Sequence, residues 1–482
     1  PPRATHCISS AASDVYKRQE YDEPELLAQF KGEKFTNQFS VAKNYLYNYI
    51  LKTLHIFRKD PKTELDTILH QVQILISKNL FEQAQKQLRK ARHMAQRQER
   101  FHEMLYVLST DRYLLFRRHQ IKEFEAFIEQ IQQDEQQNLA RLTNLQEYEH
   151  IYDSLYRIMK SSLSARDSEG SNKIKKILAN PLVANAEKAM SVRAQLQRFD
   201  ILFDAYRMLD DWASCRNVLA QSIPVFETNA DIRKEKSLSF IRSISNLGII
   251  QFQLGDINGA IETVNQLKTV KCQTDEAANY VFEKYYQLKI ALCQEVGDIP
   301  EGMRVISEFE KALVGLKGKL MKSYEYHIYF NIASFLIFAG SPNDALGWIN
   351  RILNEPKTEI RTDILAMTRV INLIVHYNLG NRDYLEYDIK SAVRFLSNRE
   401  RLFSFERIIL KNLRSLANLA PDADVQIALE RFRLDMQEVV KDPMERKGLA
   451  MFDIFNWIEA EKRGLPMYQV KSDSDAISKI KQ

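Results

Sequence analysis

Two short segments place a glutamate three residues before a histidine, Glu99 with His102 and Glu147 with His150. On a helix each pair shares one face, and two such pairs with two further glutamates would build a di-metal carboxylate site inside a helical bundle. Glu99 sits in the strongly charged run QRQERFHEM, and both segments read as solvated helix faces, so no metal ligation is expected. No GxxxxGK[ST], HExxH, GxSxG or kinase signature occurs, which removes the motifs for phosphate cradling, zinc hydrolysis or an exposed nucleophile. A non-enzymatic protein without a cofactor is expected, and a metal enzyme built on the ExxH pairs ranks last among the readings.

A second feature is electrostatic. Lys86, Lys90, His93, Arg97 and Arg100 recur at spacings of three and four, a continuous stripe on one helix face. Residues 86–118 carry nine Lys/Arg against three Asp/Glu, the most basic part of the chain. An acidic partner could dock there, but a solvated outer face has the same pattern. Phe101, Tyr106 and Tyr113 fall mostly on other faces, so the aromatic interleaving of a single-strand binder is missing and nucleic acid is not the expected partner. Over the whole chain, 68 Lys/Arg against 63 Asp/Glu leave a net charge of only +5, too diffuse to imply an anionic polymer or membrane.

These residues need elements to carry them, and composition points to helices. The 482 residues hold only 14 Gly and 12 Pro, too few for glycine-rich loops, hairpin turns or sandwich corners. Hydrophobic residues make up 45%, enough for a core. The longest clean apolar stretch, NIASFLIFAG, is too short to span a bilayer, which needs about 20 residues. Cys7, Cys215, Cys272 and Cys293 form no CxxC pair, which suits reduced thiols in a cytoplasm. In FSVAKNYLYNYILKTLHIF, Phe39, Tyr45, Tyr49, Ile50, Leu54 and Phe57 cover one broad side of an amphipathic helix.

The pattern also repeats. Residues 246–267, NLGIIQFQLGDINGAIETVNQL, have a Leu247-Gly248 pair that opens the close contact between two helices, a turn at Gly255 and Asp256, and Ala260 where the second helix must approach the first. A second copy, NIASFLIFAGSPNDALGWINRILNEP, repeats this with Ala333, Gly340, Ala345 and Pro356. Weaker copies put Ala84, Cys215, Gly302 and Leu385 at the close-approach position, and the last five of the six, at 215, 260, 302, 345 and 385, lie 45, 42, 43 and 40 residues apart. The units resemble the tetratricopeptide repeat, with extra helical turns beyond its usual 34 residues. The start, LLAQFKGEKFTNQFSVAKNYLYNYIL, and the end, FDIFNWIEAEKRG, are also similar to uncharacterised helical-repeat proteins of Bacteroidetes type, a group that brings no activity.

The resemblance implies an all-α, right-handed superhelix of about eight antiparallel hairpins over 65–396, three of them between Ala84 and Cys215. Expected segments are a non-native or disordered leader at 1–19, N-terminal hairpins at 20–160, a loop or hinge at 161–173, the array at 174–465 and a flexible tail at 466–482. In such arrays the first helix of each hairpin lines a groove for a peptide or protein. The inward positions would be Asp200, Asp204 and Arg207, then Ser245, Ile249 and Phe252, then Lys284 and Gln287, then His327, Phe330, Ser334 and Phe338. The family's Lys/Asn carboxylate clamp is not reproduced, because Asp200 and Asp204 stand where cationic and amide groups are needed; a mixed apolar and acidic groove is expected. The rival reading is a peptide-sensing regulator whose DNA-binding domain would precede this sequence.

Overall fold

The computed structural model describes residues 23–57, 61–117, 124–160, 168–272, 274–316, 320, 322–354, 362–397, 404–419, 424–442, 445 and 451–470. The expected leader, residues 161–167 of the expected loop, and 471–482 of the expected tail lie outside them. The described residues form 22 α-helices packed in neighbouring pairs, with no strand. None of these helices is long and apolar enough to cross a membrane. The chain divides into two compact units, one of residues 1–211 and 221–237, the other of 212–220 and 238–482.

In the first unit, α1 (Glu23–Gln29) and α2 (Phe39–Phe57) precede the hairpin α3 (Pro61–Ser77) and α4 (Phe81–Arg97). Asn79 makes the turn between α3 and α4 at φ +59°, a conformation asparagine adopts more readily than most residues. On α4, Ala84, Leu88, Ala91 and Ala95 recur at spacings of four and three and are buried against Leu65 and Val72 of α3 and Val107, Leu108 and Leu114 of α5 (Phe101–Arg117). The alanines let α3 and α5 pack close to α4, and the long charged side chains take its other side.

The expected three hairpins between Ala84 and Cys215 are not there. One 37-residue helix, α6 (Phe124–Lys160), takes much of that length, followed by α7 (Ser168–Leu178), α8 (Pro181–Ala184) and α9 (Val192–Met208). The sequence of α6 contains neither Gly nor Pro, so nothing stops it. It packs on both α5 and α9. The loop expected to end at 173 ends by Ser168, where α7 begins; Ile174, fully buried, anchors the polar run before it as helix. The boundary between compact units falls within 211–238, away from 161–173.

Charge and apolar burial together hold 221–237 to the first unit, with Phe226 and Ile232 buried. α10 (Trp212–Thr228) is followed by the short α11 (Ala230–Glu235), which packs on α3. Asp231 pairs with Arg97 at 2.5 Å, and Glu235 pairs with Arg100 at 3.0 Å and with Arg193. Burial pushes the Lys236 ammonium below its usual range, and the Arg193 charge adds to this against the pull of Asp200, Glu235 and Glu149.

The second unit is a series of hairpins: α12 (Ser237–Gln253) with α13 (Ile257–Thr269), α14 (Asp275–Val296) with α15 (Ile299–Leu316), α16 (Lys322–Phe338) with α17 (Pro342–Leu353), α18 (Thr362–Asn378) with α19 (Arg382–Ser397), and α20 (Ser404–Ala417) with α21 (Val425–Val440). First helices also touch the next first helix, α14 with α16, α16 with α18 and α18 with α20. The last hairpin extends the series past the expected end at 396. It lacks the turn glycine that marks the others, and Asp424 instead caps α21 by accepting from the Gln426 amide at 2.8 Å.

The residues placed at the close-approach position are buried: Ala84, Cys215, Ala260, Ala345 and Leu385 are fully so. Gly302 is also buried, and a Cβ there would lie 2.0 Å from Cζ of Phe335 on α16. Gly255 and Gly340 close turns at φ +77° and +78°, where a side chain would strain the backbone. Around Phe309 the rings of Phe282, Tyr286, Tyr329 and Trp348 gather at centroid distances of 5.2 to 6.2 Å.

At the C-terminal end, α22 (Ile454–Arg463) packs on α21 and sends buried Trp457 to Asn378 Oδ1, the indole donating at 3.1 Å. Gly464 ends the helix at φ +63°. Residues 466–470 then pack, contrary to the expected flexible tail. Met467 and Val470 are buried, Pro466 lies against Gly340, and the Tyr468 ring meets Phe338 at 6.5 Å.

Candidate functional site

The twelve residues read as inward divide between the units. Asp200, Asp204 and Arg207 lie on α9 in the first unit. Arg207 Nη2 donates to Asp204 Oδ1 at 2.9 Å, and Tyr152 of α6 donates to Asp204 Oδ2 at 3.2 Å. Asp204 is therefore held by its neighbours, while Asp200 is exposed.

The other nine lie on α12, α14 and α16 of the second unit, and burial sorts them into two kinds. Ser245, Phe330, Ser334 and Phe338 are buried. The Ser245 hydroxyl returns to its own helix, donating to Ile241 O at 2.8 Å, and Phe338 is covered by Tyr468, so these residues pack the unit instead of facing a partner. Ile249, Phe252, Lys284, Gln287 and His327 are half-buried.

Lys284 is the centre of a polar group. Its ammonium donates to Glu283 Oε1 at 3.0 Å and Gln287 Oε1 at 3.1 Å, and lies 5.5 Å from the Tyr280 ring centroid. Asn331 Nδ2 of α16 donates to the Gln287 carbonyl at 3.4 Å, tying the two first helices together. Glu283 is 1% exposed, and its Oε2 has no hydrogen-bond partner among the described residues; neither has the buried Ser334 hydroxyl. Burial pushes the Glu283 carboxyl above its usual range, with Lys284 pulling it back. Tyr280 is pushed up to about 12, by burial first, against the opposing Arg242 charge; Tyr324, at 6.3 Å in an edge contact, is raised by burial too.

The lysine charge is thus offset by an adjacent carboxylate, which leaves a face of near-neutral polarity with tyrosine rings beside it. Sequence reasoning missed Arg242, Tyr280 and Tyr324. Each sits three or four residues before a chosen position, Ser245, Lys284 and His327, so continuing the same register by one turn finds them. It also missed Glu283, whose position next to Lys284 puts it off the inward register.

The two ExxH segments do other things. The Glu99 carboxylate accepts from the backbone amides of Val192 and Arg193 at 3.0 and 2.8 Å, capping the N-terminus of α9, and Glu147 and His150 lie exposed on α6. Much of the basic run is likewise engaged: Arg92 meets Asp111 at 3.2 Å and also Asp134, and Arg112 meets Glu135 at 2.5 Å. Lys86, Arg89 and Lys90 remain exposed and, with Leu75, Gln83 and Gln87, line an open hollow.

No family model, no curated protein and no solved structure matches this chain.

Proposed function

We propose that the second unit is a tetratricopeptide-like superhelix acting as a non-enzymatic scaffold, which holds a peptide segment or protein partner along the face of α12, α14 and α16. The observation that carries this reading is the sorting of residues on those three first helices. Packing positions are small, aliphatic or aromatic and buried, whereas Ile249, Phe252, Lys284, Gln287 and His327 recur at the inward register, half-buried and chemically unlike one another. Packing alone does not call for a lysine, a glutamine and a histidine on successive helices. Fold resemblance by itself would not give a function. The compartment that suits it is a reducing bacterial cytoplasm, since Cys215, Cys272 and Cys293 are free thiols.

The test is to select ligands for the full chain from a random peptide library and measure their affinity at low and high salt. Phe252→Ala and His327→Ala should each weaken binding about tenfold or more, since buried aromatic anchors carry most interface energy. Lys86→Glu with Lys90→Glu should change little beyond the association rate. The opposite pattern, loss with the charge reversals and indifference to the α12 and α16 substitutions, would move the functional surface to the basic hollow.

A further inference from the structure

Among the described residues, nothing covers the apolar side of α2. Val41, Tyr45, Tyr47, Tyr49, Leu51 and Leu54 are 46 to 72% exposed, although most of them fall on the sector that the sequence pattern marks for burial. The main neighbour of α2 among the described residues is the short 3₁₀ turn Lys34–Gln38. An apolar sector about 200° wide on a helix normally belongs against another element.

We propose that this face is covered by α2 of a second copy of the chain, the two helices pairing antiparallel about a two-fold axis. Area is the first argument. On that sector Tyr45, Tyr47, Tyr49, Ile50 and Leu54 present about 650 Å² at their exposures, near the lower end of what one partner contributes to a stable interface. Chemistry is the second. Tyrosine, leucine, isoleucine and valine with few charges is the composition of homodimer cores, and a face with no charge code is complementary to itself. Lys43, on the apolar sector, is already paired with Glu23 at 2.8 Å, and Lys52, seven residues after Tyr45, lies at the sector's edge. Antiparallel pairing about the middle of α2 holds the two Lys43 side chains about 15 Å apart along the axis, beyond the screening length at physiological salt. Tyr45 and Tyr49, already parallel at 6.4 Å, form a ready-made aromatic ladder for the facing helix.

Sedimentation equilibrium of the full chain, up to about 50 µM, tests this. A species of twice 56.3 kDa is expected. The pair Tyr45→Glu and Tyr49→Glu should weaken the dimer about 100-fold, with helical circular dichroism unchanged because both sites are exposed. Leu54→Arg provides an independent variant, and Tyr387→Glu on α19, an equally exposed tyrosine, should leave the mass distribution as it is. A 56.3 kDa monomer throughout overturns the proposal. So does a dimer whose constant moves less than about tenfold in both α2 variants, or as much in Tyr387→Glu.

Discussion

Replacing Gly302 by alanine sets two effects of similar size against each other, and the structure decides between them. Alanine in a helix is favoured over glycine by about 1 kcal/mol, less in a first turn, which is where Gly302 sits on α15. Against this, the new Cβ would lie 2.0, 2.5 and 2.7 Å from three ring atoms of Phe335, whereas ordinary contact begins near 3.4 Å. The ring must retreat by more than 1 Å, yet Phe335 is fully buried in α16. Overpacking of that kind costs about 1 to 3 kcal/mol, so Gly302→Ala should be destabilising by about 1 to 2 kcal/mol net. Gly347, in the middle of α17, has no heavy atom within 4 Å of its hypothetical Cβ, so Gly347→Ala should instead stabilise by about 0.5 to 1 kcal/mol. Urea unfolding followed by circular dichroism gives both shifts, read as midpoints at constant slope. The double variant Gly302→Ala with Phe335→Leu should recover part of the loss, since leucine lacks the three crowded ring atoms. Two shifts of the same sign would refute the close helix contact and with it the repeat register.

Glu461, which burial pushes up to about 7, makes the fold sensitive to pH. Because the folded pKa is raised above the unfolded value of 4.5, stability is greatest below 4.5 and falls as pH rises toward 7, by about 3 kcal/mol; Glu461→Gln should flatten that decline in pH-dependent melts. Glu99→Ala removes the carboxylate cap of α9 and should cost about 1 to 2 kcal/mol in urea unfolding, with a chelator making no difference to either protein. Tyr468→Ala should destabilise by about 1 to 3 kcal/mol and open Phe338 to solvent, seen as faster hydrogen exchange at the end of α16.

The hairpins of the second unit were legible because their turns and close contacts admit few residue types. Gly255, Gly340 and Gly380 hold positive φ, and Ala260, Gly302 and Ala345 sit where a larger side chain meets the neighbouring helix. Where the register instead assumed a constant period, it failed: α6 runs 37 residues because its sequence offers no stop. The unit boundary was hidden for another reason. Glu235 is held by Arg100 and Arg193, and no local pattern announces partners so far apart in sequence. Glu99 was read as a solvated charge when its carboxylate serves two amides some 93 residues on. At the candidate site, the register gave Lys284 and Gln287 but not the buried Glu283 that offsets the lysine, since the periodicity of a face says nothing about the residue just beside it.

The pairing of arginines also bears on which surface binds. A nucleic acid gains affinity by replacing condensed counterions, with a salt slope of about −0.9 per phosphate neutralised. Arg92, Arg97, Arg100 and Arg112 each close onto a carboxylate of the same unit, so using them would first break an existing ion pair. Among the described residues of the run that leaves Arg117, which lies against Tyr113, and Lys86, Arg89 and Lys90 around the hollow; the three at the hollow give about three contacts and a slope near −2.7, which is weak and indifferent to sequence. On α12, α14 and α16 the balance differs: Lys284 is offset by Glu283, so a partner docking there would be held by what it removes from water, chiefly at Ile249, Phe252 and the Tyr280 and Tyr324 rings. Apolar burial of that kind is insensitive to salt, whereas the hollow's attraction falls within a Debye length of about 8 Å. The salt dependence of any ligand's affinity therefore separates the two surfaces before a single residue is changed.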